Sequence, residues 1–156
     1  FLPIAQKETA LEQVVSSGEL QSGSGNILLV DDEEQVVQVT GEILQSLGYK
    51  VVGKTSPREA VALFSQDPSQ FDMLITDLTM AELTGLELSQ KCKGLRPDLP
   101  IILITGYSDQ VSKDAAVDAG IDEYCMKPIS MRDLSMIVGK FLGTESARIP
   151  LQRYRS

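Results

Sequence analysis

The chain has 156 residues, with 42% hydrophobic and 23% charged residues and no apolar run approaching the ~18 residues of a membrane span. That is the composition of one globular domain, and it excludes disordered, collagenous and membrane-spanning classes. Fourteen basic against 22 acidic residues give a net charge of −8, which argues against direct nucleic-acid binding, and the absence of histidine removes every Ser-His-Asp or Cys-His catalytic arrangement and most catalytic zinc sites.

Residues 1–25 read as a linker, since Gln21-Ser-Gly-Ser-Gly25 is a flexible Gly/Ser stretch. Glu8 to Leu20 could form a short helix ahead of it, with little to bury. No basic stretch followed by an apolar one marks a signal peptide, and no membrane contact is expected of residues 1–156. The start at Phe1 without Met reads as a fragment of something longer. Apolar runs then recur at Asn26–Val30, Lys50–Lys54, Phe71–Thr76, Pro100–Thr105 and Glu123–Met126. Most are rich in Val, Ile and Leu without clean alternation, the pattern of parallel strands covered on both faces.

Helical patterns lie between the strands. Val36, Ile43, Leu44 and Leu47 share one face, ending at Gly48. Ser56-Pro-Arg-Glu59 and Thr84-Gly-Leu-Glu87 are capping boxes, the first with proline at the first helical position. Ser130-Met-Arg-Asp133 opens a last helix with Leu134, Ile137, Val138 and Phe141 on one stripe. Five βα units predict a flavodoxin-like α/β three-layer sandwich over 26–142. Residues 143–156, with Arg148, Arg153 and Arg155, read as a tail too short for an effector domain. Cys92 and Cys125 stand alone, which fits a reducing, cytoplasmic compartment.

Chemistry-bearing residues follow four of the five strands. The first ends in Asp31-Asp32-Glu33-Glu34, the third in Asp77, the fourth in Thr105-Gly106 and the fifth in Lys127-Pro128. Ligands of open parallel sheets bind outside the carboxyl ends of the strands, where the order reverses. In the order 2-1-3-4-5, strands 1 and 3 meet there, and Asp31, Asp32 and Asp77 share one crevice. Three carboxylates repel unless a cation joins them. An all-oxygen set favours Mg²⁺, which keeps positions open for phosphate oxygens. Asp77 could then attack phosphorus as a nucleophile, with Lys127 and the Thr105 hydroxyl holding the transferred oxygens. Taken singly, each of these residues reads as a cap, a turn residue or a solvated lysine; their conjunction at one sheet edge does not.

From Asn26 to about Leu142 the chain resembles the receiver domain of two-component response regulators, through ILLVDDEE (27–34), LITDLTM (74–80), ILITGY (102–107) and YCMKPIS (124–130). The resemblance implies that Asp77 is the phosphoacceptor, that Asp32 binds Mg²⁺ directly and Asp31 largely through water, and that the Thr79 carbonyl is a further ligand. Thr105 and Lys127 would contact the phosphoryl group, and Tyr124 matches the aromatic switch position. Thr79 and Tyr107 occupy positions that tune hydrolysis of the acyl phosphate. One departure is Ala81, where the family often has proline; it is expected to loosen the following loop. Phe1-Leu2-Pro3-Ile4 resembles the closing strand of a histidine kinase ATP-binding domain, which with the linker suggests the C-terminal receiver of a hybrid kinase. The implied activity is self-catalysed phosphotransfer and autodephosphorylation, with a phosphohistidine-bearing kinase or phosphotransfer domain as partner and a homodimer possible. Phosphorylation would switch the face made by the fourth helix, fifth strand and fifth helix.

Three other functions compete. A docking module regulating an attached kinase without phosphorylation is disfavoured by the intact Asp31, Asp32, Asp77, Thr105 and Lys127 set. A stand-alone Asp-nucleophile phosphatase would want an Asp-x-Asp string, which Asp77-Leu78-Thr79 lacks. A nucleotide binder is poorest, because Gly23-Ser-Gly25 precedes a strand and no Walker-type loop exists.

Overall fold

The computed structural model describes residues 24–106 and 113–142, with Lys113 as backbone only. Residues 1–23 of the proposed linker, the tail, Tyr107 and most of the loop ahead of the fourth helix lie outside them. The elements are β1 (Asn26–Val30), α1 (Glu34–Ser46), β2 (Lys50–Lys54), α2 (Pro57–Gln66), a 3₁₀ turn (Pro68–Gln70), β3 (Met73–Asp77), α3 (Gly85–Leu95), β4 (Ile101–Thr105), α4 (Lys113–Ala119), β5 (Glu123–Met126) and α5 (Met131–Leu142). The five strands are parallel, in the order β2-β1-β3-β4-β5. The doubly wound fold predicted from the strand spacing is the fold observed.

Alternation along the strands divides the core into two layers. Ile27, Leu29, Met73, Ile75, Ile102 and Ile104 pack against Leu44 of α1, its C-cap Leu47, and Leu134 and Val138 of α5. Leu28, Val30, Leu74 and Ile101 pack against Ala60, Phe64, Leu88 and Cys92 from α2 and α3. Each fully buried Leu or Ile contributes about 1.5–3 kcal/mol relative to exposure. The three central strands are therefore apolar on both faces, as expected. The edge strand β2 is not: Lys50, Val52 and Gly53 are exposed. Its lysines suit an edge, where charge discourages pairing with another chain.

Local signals set the helix ends. At the end of α1, Gly48 takes φ 106°, Tyr49 N–H bonds to the Leu44 carbonyl at 3.1 Å and Gly48 N–H to that of Gln45 at 3.0 Å. This is a Schellman motif, and the positive φ is why glycine stands there. Thr84 and Glu87 form the full capping box of α3. Ser56 accepts the Glu59 N–H at 3.2 Å at the start of α2, and Ser130 accepts the Asp133 N–H at 3.0 Å at the start of α5. β3 starts at Met73, two residues later than the apolar run suggests, because Phe71 turns inward to stack on Phe64, ring centroids 6.2 Å apart. Arg96 donates to the Pro68 and Phe71 carbonyls and fixes that turn.

Candidate functional site

The carboxyl ends of β1, β3, β4 and β5 deliver Asp31, Asp77, Thr105 and Lys127 to one edge of the sheet. Register places them together: Val30 pairs with Thr76, Asp77 with Ile104, and Thr105 with Met126. Asp31 is 1% exposed, Asp77 5% and Thr105 8%, while Asp32 is open to solvent. One carboxylate oxygen from each of Asp31, Asp32 and Asp77 lies within 4.8 Å of the others.

Lys127 threads between the acids. Its Nζ is 3.1 Å from Asp77 Oδ1, 3.4 Å from Asp31 Oδ2 and 3.9 Å from Glu33 Oε1. The chain reaches this position because Lys127 N–H bonds to the Thr105 carbonyl at 2.9 Å, extending the β4–β5 ladder by one residue. Pro128 follows across a cis peptide bond. Glu33, which the sequence offers as a helix cap, holds the N-cap position of α1 without a side-chain capping bond. Asp31 serves the helix start instead, its Oδ1 accepting the Glu33 N–H at 2.9 Å.

The electrostatics are those of a site short of positive charge. Burial pushes the Asp31 carboxyl above its ordinary range, against the pull of the Glu33 N–H and Lys127. Burial, with repulsion from Asp31, likewise raises Asp77 against its bond from Lys127. Burial works against the Lys127 charge, but Asp77 and Asp31 outweigh it and hold the ammonium above its usual value. Asp31 Oδ2 is buried with no aligned hydrogen-bond donor, and it has only a share of the Lys127 ammonium at 3.4 Å. One ammonium divided among the carboxylates is a donor set that a hard cation completes. The residues present therefore fit Mg²⁺. Neither cysteine competes for such a role: burial pushes the Cys92 thiol up to about 12 and Cys125 up to about 11, and both are free.

Three features of the site were not apparent from sequence. Gly85 was legible only as a helix position; a Cβ there would sit 2.2 Å from the Asp77 carbonyl and 2.9 Å from Leu103 Cδ1. Its N–H bonds to the Leu78 carbonyl at 2.8 Å, so α3 starts directly against the end of β3. Ala81, where loosening was expected, supplies an N–H that proline lacks and donates it to Asp32 Oδ2 at 3.3 Å. Glu33 joins the ion-pair network of Lys127. Of the remaining sequence-derived residues, Thr79 is exposed on the loop after β3, and Tyr124 lies on β5 with 40% of its surface exposed.

A doubly wound five-stranded sheet with an acidic triad and a lysine at its switch point defines a class of signalling domain, and comparison places the chain within it. The response regulator receiver domain family matches residues 27–138, and the chain belongs to that family. The response regulator SaeR of Staphylococcus aureus is 32% identical over 117 residues, covering 75% of this chain and 50% of that protein. The chain thus spans about half the length of the curated relatives it matches. Among solved structures, a receiver domain protein of Clostridium thermocellum superposes with TM-score 0.70 at 30% identity, over 74% of this chain and 91% of that one. The response regulator TrrA of Thermotoga maritima, in complex with Mg²⁺ and a beryllium fluoride, superposes with TM-score 0.68 at 32% identity, over 75% and 98% of the two chains. Among the described residues, no helix is long and apolar enough to cross a membrane.

Proposed function

We propose that this receiver accepts a phosphoryl group from a phosphohistidine protein onto Asp77, with Mg²⁺ held by Asp31, Asp32, Asp77 and the main-chain carbonyl of Thr79. The observation that carries the reading is the placement of Asp77: buried at the end of β3, 3.1 Å from the Lys127 ammonium and inside the acidic triad. When bound, Mg²⁺ supplies positive charge that offsets repulsion between the acids and the incoming phosphoryl oxygens. An Asp77 carboxylate oxygen forms the new P–O bond as the P–N bond of the donor breaks. The electron pair of that bond returns to the imidazole nitrogen, which leaves. Lys127, kept protonated by its acidic neighbours, releases Asp77 to contact a phosphoryl oxygen, and the Thr105 hydroxyl holds another.

Thr105 follows β4, and Tyr124 lies on the adjacent β5. Drawing Thr105 towards the phosphoryl group would open space for the exposed Tyr124 ring to turn inward. The face of α4, β5 and α5 would change with it, including the exposed Val117, Met126 and Met136, and that face is where partner choice or homodimerisation would be made. Thr79 and Tyr107 would set the lifetime of the acyl phosphate. We place the domain in the cytoplasm as part of a hybrid kinase, a reading supported by the resemblance of Phe1-Leu2-Pro3-Ile4 to the closing strand of a kinase ATP-binding domain. The test is incubation with phosphoramidate, a small donor with a P–N bond, followed by intact mass measurement. One phosphoryl group should appear with Mg²⁺ and none with excess chelator; equal labelling in both would overturn the metal assignment.

A further inference from the structure

The loop between β3 and α3 is tied down at two successive residues, and the two ties lead to different places. Ala81 N–H donates to Asp32 Oδ2 at 3.3 Å. Next to it, Glu82 is the one non-glycine among the described residues with positive φ, at 71°. An L-residue in that left-handed region carries strain and persists only where its surroundings hold it. Two bonds hold Glu82: the Leu83 N–H donates to the Ala81 carbonyl at 2.8 Å, closing the turn around it, and the Ser56 hydroxyl donates to Glu82 Oε1 at 2.9 Å across 26 residues of sequence. Ser56 is itself fixed as the N-cap of α2, accepting the Glu59 N–H at 3.2 Å. The chain of contacts therefore runs from the first turn of α2, through Ser56 and Glu82, to the Ala81 N–H and the Asp32 carboxylate.

Asp32 needs such a support more than its partners do. Asp31 and Asp77 are buried and face Lys127, whereas Asp32 is solvent-exposed. An exposed aspartate samples several rotamers, and a metal ligand that must first be ordered binds more weakly. A hydrogen bond to one carboxylate oxygen orients the group and leaves the other oxygen for a cation, as outer-shell donors do in metal sites generally.

We propose that Ser56 and Glu82 are positioning residues for Asp32: together they hold the loop so that Ala81 N–H presets the carboxylate for Mg²⁺. The proposal rests on the reading of Asp31, Asp32 and Asp77 as the Mg²⁺ site. It concerns residues outside that site, at the start of α2 and in the loop.

The test is a Mg²⁺ titration followed by amide NMR, on the full chain and three variants. Glu82→Gly deletes the acceptor and also relieves the left-handed strain, so its melting temperature should hold or rise while its Mg²⁺ dissociation constant rises about threefold to tenfold, at or below the low end for lost outer-shell support. A merely structural role would not move stability and affinity apart in that way. Ser56→Asp keeps a capping oxygen for α2 but offers Glu82 a carboxylate instead of a donor, and should weaken Mg²⁺ to a similar extent. Glu82→Gln retains Oε1 and should bind as the unsubstituted protein does. In metal-free samples the Ala81 amide should exchange faster in the two weakened variants. Equal dissociation constants for Glu82→Gly and the unsubstituted protein would overturn the proposal and leave the Mg²⁺ site standing. Tighter binding in Glu82→Gly would overturn it too, by showing that the tie competes with the cation. An unsubstituted protein with no saturable Mg²⁺ response at Asp32 and Asp77 would overturn both.

Discussion

Replacing Asp77 by asparagine should make the metal-free fold more stable, although it removes a residue bonded to Lys127. The Asp31 and Asp77 carboxylates approach within 4.8 Å, which at an effective dielectric of about 20 is a repulsion of about 3 kcal/mol. Lys127 at 3.1 Å attracts Asp77 by about 5 kcal/mol on the same basis. Charge–charge terms alone would favour ionised Asp77. Burial reverses the balance, since desolvating a carboxylate costs several kcal/mol and Asp77 is almost wholly enclosed. This is why its pKa is raised despite the lysine. Asparagine keeps the shape and an acceptor for Lys127, and Lys127 keeps Asp31 at 3.4 Å. The expected gain is on the order of 1–2 kcal/mol, and each kcal/mol is about 2–4 °C in melting temperature for a chain of 156 residues. The gain must also depend on pH in a fixed direction. Between the unfolded value of 3.8 and the raised folded value, the native state binds more protons than the unfolded chain, so its stability falls as pH rises through that window. Asp77→Asn escapes the fall. Its advantage should grow as pH rises through that window and vanish below pH 3.8, where both proteins are neutral at this position. Thermal unfolding in chelator at a series of pH values measures it. A variant less stable than the parent at pH 7, or an advantage that persists unchanged in acid, would refute the reasoning.

Asp32→Ala should abolish the Mg²⁺ dependence of phosphorylation, and normal metal-dependent labelling of this variant would place the cation elsewhere. Gly85→Ala puts a methyl group 2.2 Å from the Asp77 carbonyl and should cost about 3 kcal/mol or more in a denaturant titration, because backbone, not a pliant side chain, must yield; a loss under 1 kcal/mol would mean that α3 slides freely. Thr105→Ala should leave the fold intact but uncouple the site from the α4–β5–α5 face, a coupling typically worth about 1–3 kcal/mol. Amide shifts at Tyr124 and Met126 on adding a phosphoryl mimic should shrink, and unchanged shifts would remove Thr105 from the switch.

What was legible in the sequence follows from range. The central strands β1, β3 and β4 announce themselves because both faces are buried, so apart from Asn26 and Thr76 their residues are apolar until the chain reaches the sheet edge. There the composition changes abruptly to Asp31, Asp77 and Thr105, and the topology of a parallel sheet does the rest. β2 did not fit that reading: at an edge only part of each strand is covered, so Lys50-Val-Val-Gly-Lys54 mixes signals that a buried strand would not carry. The Thr84–Glu87 capping box and the Ser56 cap, which forms without the reciprocal Glu59 bond, were readable because they are local. Gly85, the Ser56–Glu82 bond and the Ala81–Asp32 bond were not, because each depends on elements distant in sequence meeting within about one side-chain length. Ala81 is instructive here. Sequence registers only the loss of a rigid residue, while the fold shows the N–H that the loss makes available.

The central claim, that Asp77 takes the phosphoryl group, is tested most directly by locating it. The protein and Asp77→Asn are each treated with phosphoramidate and Mg²⁺, reduced with borohydride to convert any acyl phosphate to homoserine, and digested for peptide mass mapping. The account predicts homoserine at position 77 in the parent and at no position in the variant. Homoserine at Asp31, Asp32 or any other carboxylate, or stable labelling of Asp77→Asn, would contradict it.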